Sequence, residues 1–538
     1  MREFKPIGFI LGLLGVFILA GTPVRGEVLF PDGSMIKQKC SACHKPDPQG
    51  NLDVLEHTRK STEEWKAVVD RMVRLNSLPL ENENFHPVIK ELSDKLCLSP
   101  KEMEAVAYLN SDENSQYREI PKDKLEERIF TACVRCHTYG KIVSHKNTPE
   151  QWAEARNLHL GYYPTVIPQM REMDWAVESK DLIEPLAKLF PFDNPEWKTW
   201  MQNRKAVDLS GEWTVAGYQP GMGFYEGTYV IKADAAAGKD EYLINKELRY
   251  GNGKVLKSSG KGTLFSQFHL RYALSNADKS LTEGVFDLKA EDMAFQGKWW
   301  DVVQDKNVYG NESFAKAGST AKILCAYPEA LQTGKTHKVT LIGANLPGVK
   351  AADIVFSTPG LTVTKVTQTG ATKLVCDVNV KADAGTGVVG VKVGTIAYDN
   401  AMKVYAKMDA IKVLPEIGRA RVSCGPAYPA QGVQFVARGI SAGPDGKVGT
   451  EDDIVLNPVD AKWSLAEEKT RENDDDLKYL TTSVANGLYT PITTYGPIPE
   501  RVQKVEGVGL IKIVASYNKL ESSSRLAVVP TDFIPQIK

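Results

Sequence analysis

Two short motifs, Cys40-Ser-Ala-Cys43-His44 and Cys133-Val-Arg-Cys136-His137, constrain this chain more than any other feature. The pattern Cys-x-x-Cys-His is the attachment signature of a c-type haem. Its two cysteines bond covalently to the haem vinyl groups, and the adjacent histidine supplies one axial ligand to iron. A chance match, or a zinc or redox Cys-x-x-Cys, is the competing reading of a single motif. Two copies, each followed by histidine and both behind an export-type leader, favour haem c at both.

The leader occupies residues 1-26. Arg2 and Lys5 precede an apolar run from Ile7 to Ala20, and Val24-Arg25-Gly26 offers small residues ahead of Glu27. The run falls short of the roughly 20 residues that span a bilayer. It reads as a secretory signal peptide, with an uncleaved anchor as the alternative. No later segment is long and apolar enough to cross, so an integral membrane protein is not expected. Covalent haem attachment takes place outside the bacterial cytoplasm, which makes the periplasm the expected location.

The 538 residues imply three to five domains at roughly 100–150 residues each. A net charge of −1 points away from nucleic acid. Histidines divide the chain: His44, His57, His86, His137, His145 and His159 precede residue 160, and only His269 and His337 follow. Haem chemistry is therefore expected within residues 27-205. Outside the motifs stand Cys97, Cys325, Cys376 and Cys424. In an oxidising compartment some could pair, Cys325 with Cys376 first; buried free thiols are the other reading.

The haem region is an internal repeat. Ser61-Thr-Glu-Glu-Trp65 follows the first motif and Thr148-Pro-Glu-Gln-Trp152 the second. Both start like capping boxes, Ser61 with Glu64 and Thr148 with Gln151, and Pro149 suits a first helical position. A residue seven positions after each tryptophan shares its helix face. Met72 and His159 are thus equivalent, and both are residue types that ligate haem iron. The expected axial pairs are His44/Met72 for the first haem and His137/His159 for the second. Met103 and His86 are rivals at the first; Met170, Met173 and His145 are rivals at the second. Core packing of Met72 and a structural role for His159 remain open. Arg71 and Arg156 either approach haem propionates or stand as solvated surface charge. Ser99-Pro-Lys-Glu102 begins a closing helix like the last helix of a small cytochrome c, Leu182 to Phe190 is its counterpart, and Phe192 to Trp197 reads as a connector.

From about Asp208 strand-like alternation and Gly-rich turns replace helices. Regular spacing of segments such as Gly211-Glu-Trp213 and Gly297-Lys-Trp299-Trp300 predicts an antiparallel up-and-down β-barrel over 208-317. No convergent charged set stands out, so a lumen filled by side chains is expected over a ligand cavity. Short strands with turn signals predict β-sandwiches over 320-408 and 409-538. Gly443-Pro-Asp445 through Glu451-Asp452-Asp453 is a Gly-rich acidic loop. It would either hold Ca²⁺ through its oxygens or form a solvated hairpin loop. No nucleophile–base set and no nucleotide-binding glycine fingerprint occurs, so no catalytic residue is assigned to this chain.

Taken together, the two motifs with their Trp-bearing helices and the all-β half resemble the alpha (dihaem) subunit of quinohemoprotein amine dehydrogenase. In the β half the likeness is carried by Tyr327-Pro-Glu-Ala-Leu331, Gly343-Ala-Asn-Leu346, the Gly443–Asp453 loop, Trp463-Ser-Leu465, Gly487-Leu-Tyr-Thr-Pro491 and Tyr495-Gly-Pro-Ile-Pro-Glu-Arg501. The resemblance implies a dihaem cytochrome c domain, a lipocalin-like barrel and two immunoglobulin-like β-sandwiches. It implies a heterotrimer with a β-propeller subunit and a small subunit bearing cysteine tryptophylquinone. There, primary amines are oxidised to aldehyde and ammonia. This chain would pass electrons through two haems to an external cytochrome c or blue-copper protein. A free-standing dihaem carrier docking to another dehydrogenase is the alternative, and a dihaem peroxidase would need an open iron position.

Overall fold

The computed structural model describes residues 29–111, 119–423, 425–426, 428–480, 483–493, 496 and 506–530. The leader, Cys424 and most of the Tyr495–Arg501 stretch lie outside them.

The N-terminal region is helical. Ser61 caps the helix Thr62–Asn76 by accepting from the Glu64 N–H at 3.3 Å. Thr148 caps Pro149–Tyr162 by accepting from the Gln151 N–H at 3.3 Å. The reciprocal bond of a full capping box is present at Ser99/Glu102. At Ser61 the Glu64 carboxylate instead turns across the domain to Lys141 at 3.3 Å. An interior ion pair thus displaces the local cap that the sequence pattern predicts. The closing helix of the first half is also interrupted, as Pro100–Glu104 and Tyr108–Ser111.

The two halves meet through a short antiparallel pair, Thr58–Lys60 with His145–Asn147, in the register Thr58↔Asn147 and Lys60↔His145. Arg59, wholly buried, pins this junction. It forms an ion pair with Glu102 at 2.7 Å, donates Nε–H to the Phe192 carbonyl at 2.8 Å and lies 4.3 Å from the centroid of the Trp197 ring. Residues Phe192 to Trp197 are therefore not a plain connector. Asn194 caps a helix, Pro195–Asn203, with proline in its first turn. Asn-Pro-Glu is a helix-start pattern, and Trp200 seats the helix against Phe268 at the barrel, 5.5 Å between ring centroids.

Eight antiparallel strands from Gly211–Gln219 to Asp305–Lys316 close into a barrel in sequential order. Closure leaves no exposed edge. Gly227 allows neighbouring strands to approach, since a Cβ there would lie 2.0 Å from the Glu247 carbonyl oxygen. Trp213, Tyr229, Phe286, Phe295 and Phe314 fill the lumen. The lumen also holds charge, contrary to the expectation from sequence. Lys246 and Glu312 pair at 3.1 Å, both essentially inaccessible. Tyr225 donates to Glu312 at 3.0 Å, Tyr229 also donates to Glu312, and the Trp299 indole N–H donates to the Tyr225 hydroxyl at 2.8 Å. Period-two alternation turns Lys246 inward among apolar positions of its strand.

Beyond the barrel the chain is β throughout. Two four-stranded sheets enclose one apolar core, with Leu331, Val339, Leu374 and Val404 at its centre. A second core with Phe435, Ile513 and Leu526 organises the C-terminal sheets. Cys97, Cys325 and Cys376 are free thiols. The strand Thr336–Ala344 runs between those carrying Cys325 and Cys376. Two strand spacings come to about 9.5 Å, beyond the roughly 7 Å between α-carbons that a disulfide reaches. In the acidic loop Asp452 accepts from the Asp445 N–H at 3.0 Å and Asp453 from the Gly449 N–H at 2.7 Å. These carboxylates close their own hairpin loop.

Candidate functional site

The first motif continues the helix Met35–Cys40, which Ser34 caps. The backbone N–H groups of Cys43 and His44 both return to the Cys40 carbonyl, at 3.1 and 2.9 Å. This tight turn carries Cys43 and His44 out beyond the helix end. Cys40 faces a core containing Phe30, Ile36, Leu52 and Trp65, and burial pushes its thiol up to about 11. The second motif ends the helix Lys124–Cys133, capped by Asp123. Burial pushes the Cys133 thiol up to about 12.

One cavity of about 2190 Å³ is lined by Cys40, Cys43, His44 and Met72 from the first half and by Cys136, His137 and His159 from the second. Cys133 lies behind the wall, against the core around Ile129 and Trp152. Met72 and His159, equivalent by the repeat, both reach the cavity. Each motif histidine has a fixed ring. His44 Nδ1 meets the Asp53 carbonyl at 3.0 Å, and His137 Nδ1 meets the Thr138 carbonyl at 3.1 Å. His159 Nδ1 meets the Ala155 carbonyl at 2.7 Å. A carbonyl only accepts, so Nδ1 carries a proton, and in the neutral ring Nε2 then keeps its lone pair. This is the arrangement in which outer hydrogen bonds orient histidine ligands.

The His137 and His159 rings stand 6.3 Å apart between centroids, at 51°. With Nδ1 of each ring held by a backbone carbonyl, the pair would offer a haem iron two imidazole nitrogens, a donor set that fits it. Burial also holds His137 below the ordinary imidazole range, which keeps it neutral and able to ligate.

Among the rivals, His86 turns away to Glu241 at 2.9 Å on the barrel. Met170 is buried in the second-half core and Met173 packs against it. Met103 and His145 do reach the cavity. His145 Nε2, however, faces Glu64 at 3.7 Å. Among the described residues no three His, Cys, Asp or Glu side chains converge as a metal-binding group. Sequence reasoning missed Lys60, Glu64 and Lys141, which line the cavity between the two motif ends. Their spacing carries no local signal, because the junction strands alone bring them together.

The helix bearing Met72 is tied to the barrel. Its Glu63 meets His269 at 2.9 Å and Arg271 at 3.1 Å, and His269 also contacts Asp287 at 2.5 Å.

Four family models match the chain in succession. They are the haem-binding domain of the quinohemoprotein amine dehydrogenase alpha subunit at residues 32–197, and its domains II at 206–315, III at 320–406 and IV at 411–536. The chain belongs to the quinohemoprotein amine dehydrogenase alpha-subunit family. As such an alpha subunit it is part of a multisubunit oxidoreductase, with a haem-binding helical domain followed by a closed barrel and further β domains. No helix among the described residues is long and apolar enough to cross a membrane.

No curated protein matches this chain. Similar solved structures include a redesigned beta barrel, mFAP1, bound to DFHBI (13% identity, 20% of this chain and 94% of that chain, TM-score 0.18). They also include mouse clustered PcdhgC3 EC1-3 (13%, 47% and 77%, TM-score 0.16) and Rv2717c from M. tuberculosis (11%, 32% and 92%, TM-score 0.15).

Proposed function

We propose that this chain is the dihaem electron-transfer subunit of a periplasmic quinohemoprotein amine dehydrogenase. The observation that carries this reading is the single cavity shared by both motif ends, with His137 and His159 facing each other across 6.3 Å. Cys40 and Cys43 would hold one haem c and Cys133 and Cys136 the other. His44 and Met72 would ligate the first iron through Nε2 and Sδ, and His137 and His159 the second through Nε2. When bound, the haems supply one-electron acceptors and donors. Two protein ligands at each iron leave no position for substrate, which suits relay and not amine chemistry. Methionine at one iron and histidine at the other would separate the two potentials.

The amine would then be oxidised to aldehyde and ammonia elsewhere, at a cysteine tryptophylquinone on a small partner subunit, with a β-propeller subunit completing the heterotrimer. Electrons would leave to an external cytochrome c or blue-copper protein. Residues 1-26 would direct export and be removed. Mass spectrometry of the native complex tests the reading as a whole. The expected result is a chain starting near Glu27 with two covalent haems, together with a small quinone-bearing partner. A chain lacking haem, or a stable monomer without that partner, would overturn it.

A further inference from the structure

The cavity wall between the two motif ends is rich in cations and short of counter-charge. Lys60, Arg71 and Lys141 line it, with Arg71 next to Met72 in the helix Thr62–Asn76 and Lys141 near enough to act on His137. Lys60 is only 8% exposed. Glu64 is the carboxylate that acts favourably on it, and Glu64 is already shared with Lys141 at 3.3 Å and His145 at 3.7 Å. The Arg71 Nε is buried and has no hydrogen-bond partner among the described residues. Glu63, also on the wall, meets Arg271 and His269 through Oε1, while its Oε2 takes no hydrogen bond among the described residues. Buried cations are tolerated where opposite charge and hydrogen-bond acceptors meet them, and here the chain does not provide enough of either. Arg156 makes the contrast: its Nε donates to the Ser179 hydroxyl at 3.0 Å and its terminal nitrogen to the Ala176 carbonyl at 2.9 Å, so its Nε has the partner that the Arg71 Nε lacks.

We infer that Lys60, Arg71 and Lys141 form a cationic cradle for carboxylates brought in with the cofactor, the propionates of the haem held at Cys40 and Cys43. The inference rests on the haem reading above. Arg71 presents a planar fork of N–H donors that matches a carboxylate edge. Lys60 and Lys141 add charge from the two sides of the junction, so the site is complete only when both halves are folded together. Cations beside an iron stabilise its reduced, less positive state. The cradle therefore raises the potential of the first haem and keeps its propionate ionised.

The test is spectroelectrochemical titration of Arg71→Gln and Arg71→Lys, both in the native complex and in the full chain matured with haem alone. Mass spectrometry counts covalent haem first; a wild-type chain without haem removes the cradle together with the haem reading. With two haems attached, Arg71→Gln is expected to lower the reduction equilibrium constant of the first haem about tenfold, about 59 mV for one electron. Its potential should also become pH-dependent as the propionate, no longer paired, titrates. Arg71→Lys should keep most of the wild-type behaviour. An unchanged potential and pH profile in Arg71→Gln overturns the inference. So does a shift confined to the complex, because the carboxylate would then belong to a partner subunit. Should Arg71→Gln fail to mature, Lys60→Met is read in the same way.

Discussion

His137 and His159 face each other with ring centroids 6.3 Å apart, each Nδ1 anchored to a backbone carbonyl. Both rings are thereby fixed with Nε2 available to a metal. His159→Ala should abolish the low-spin bis-histidine signal of the second haem while leaving both covalent attachments intact. An unchanged electron paramagnetic resonance spectrum would return the ligand role to His145, which also lines the cavity.

Met72 makes the same claim at the first site. Met72→Ala should remove the sulfur–iron absorption band in the near infrared and lower the potential of that haem, since methionine ligation raises it. Persistence of the band would move the ligand to Met103, which also reaches the cavity.

Arg59 and Glu102 form a buried pair that ties the junction strands to the closing helix of the first half. Removing one partner leaves the other charged and unsolvated. Glu102→Gln should destabilise the helical domain by about 3–5 kcal/mol, read as an earlier denaturant transition in haem absorbance. The barrel transition, followed by tryptophan fluorescence, should move much less.

His269 links the Met72 helix to the barrel, and its two carboxylate neighbours raise it from the ordinary 6.5 to about 9 despite its burial. A group raised on folding contributes stability that is fully present below the unfolded value and lost as pH rises through the folded one. The docking contribution should therefore be complete below about pH 6.5 and fade through about pH 9. Wild-type protein should lose thermal stability over that interval, and His269→Gln should show a flatter profile. Parallel profiles would remove His269 from the account.

Inside the barrel, Glu312→Gln leaves Lys246 buried without a counter-charge and should cost about 3–5 kcal/mol. Replacing both residues by apolar ones of similar volume should recover most of this, because the pair pays its own desolvation. Denaturant midpoints of the single and double variants check both statements.

What the sequence made legible follows the range of each signal. The Trp-x₆-Met and Trp-x₆-His spacings are local helix-face patterns, and both Met72 and His159 reach the cavity. Strand alternation was enough for an antiparallel barrel and for β-sheets beyond it, though not for the count of eight strands. Arg59 and Glu102, or Lys246 and Glu312, meet across tens of residues, and neither leaves a local pattern. Lys246 shares the alternating inward face of Tyr242, Ile244 and Leu248, but that alternation does not name Glu312 as its partner. The helix Pro195–Asn203 was legible in Asn194-Pro195-Glu196, yet the proline-rich stretch around it reads equally as a connector. The Glu64 carboxylate shows the converse, a local capping signal overridden by a tertiary ion pair.

The central claim is that this chain holds two unequal haems that relay electrons. Potentiometric titration of the native complex, followed in the visible and near infrared, tests it most directly. Two one-electron waves at separate potentials are expected, with the sulfur–iron band following the higher one. A single wave from two equivalent haems, or a high-spin iron that turns over peroxide, would contradict it.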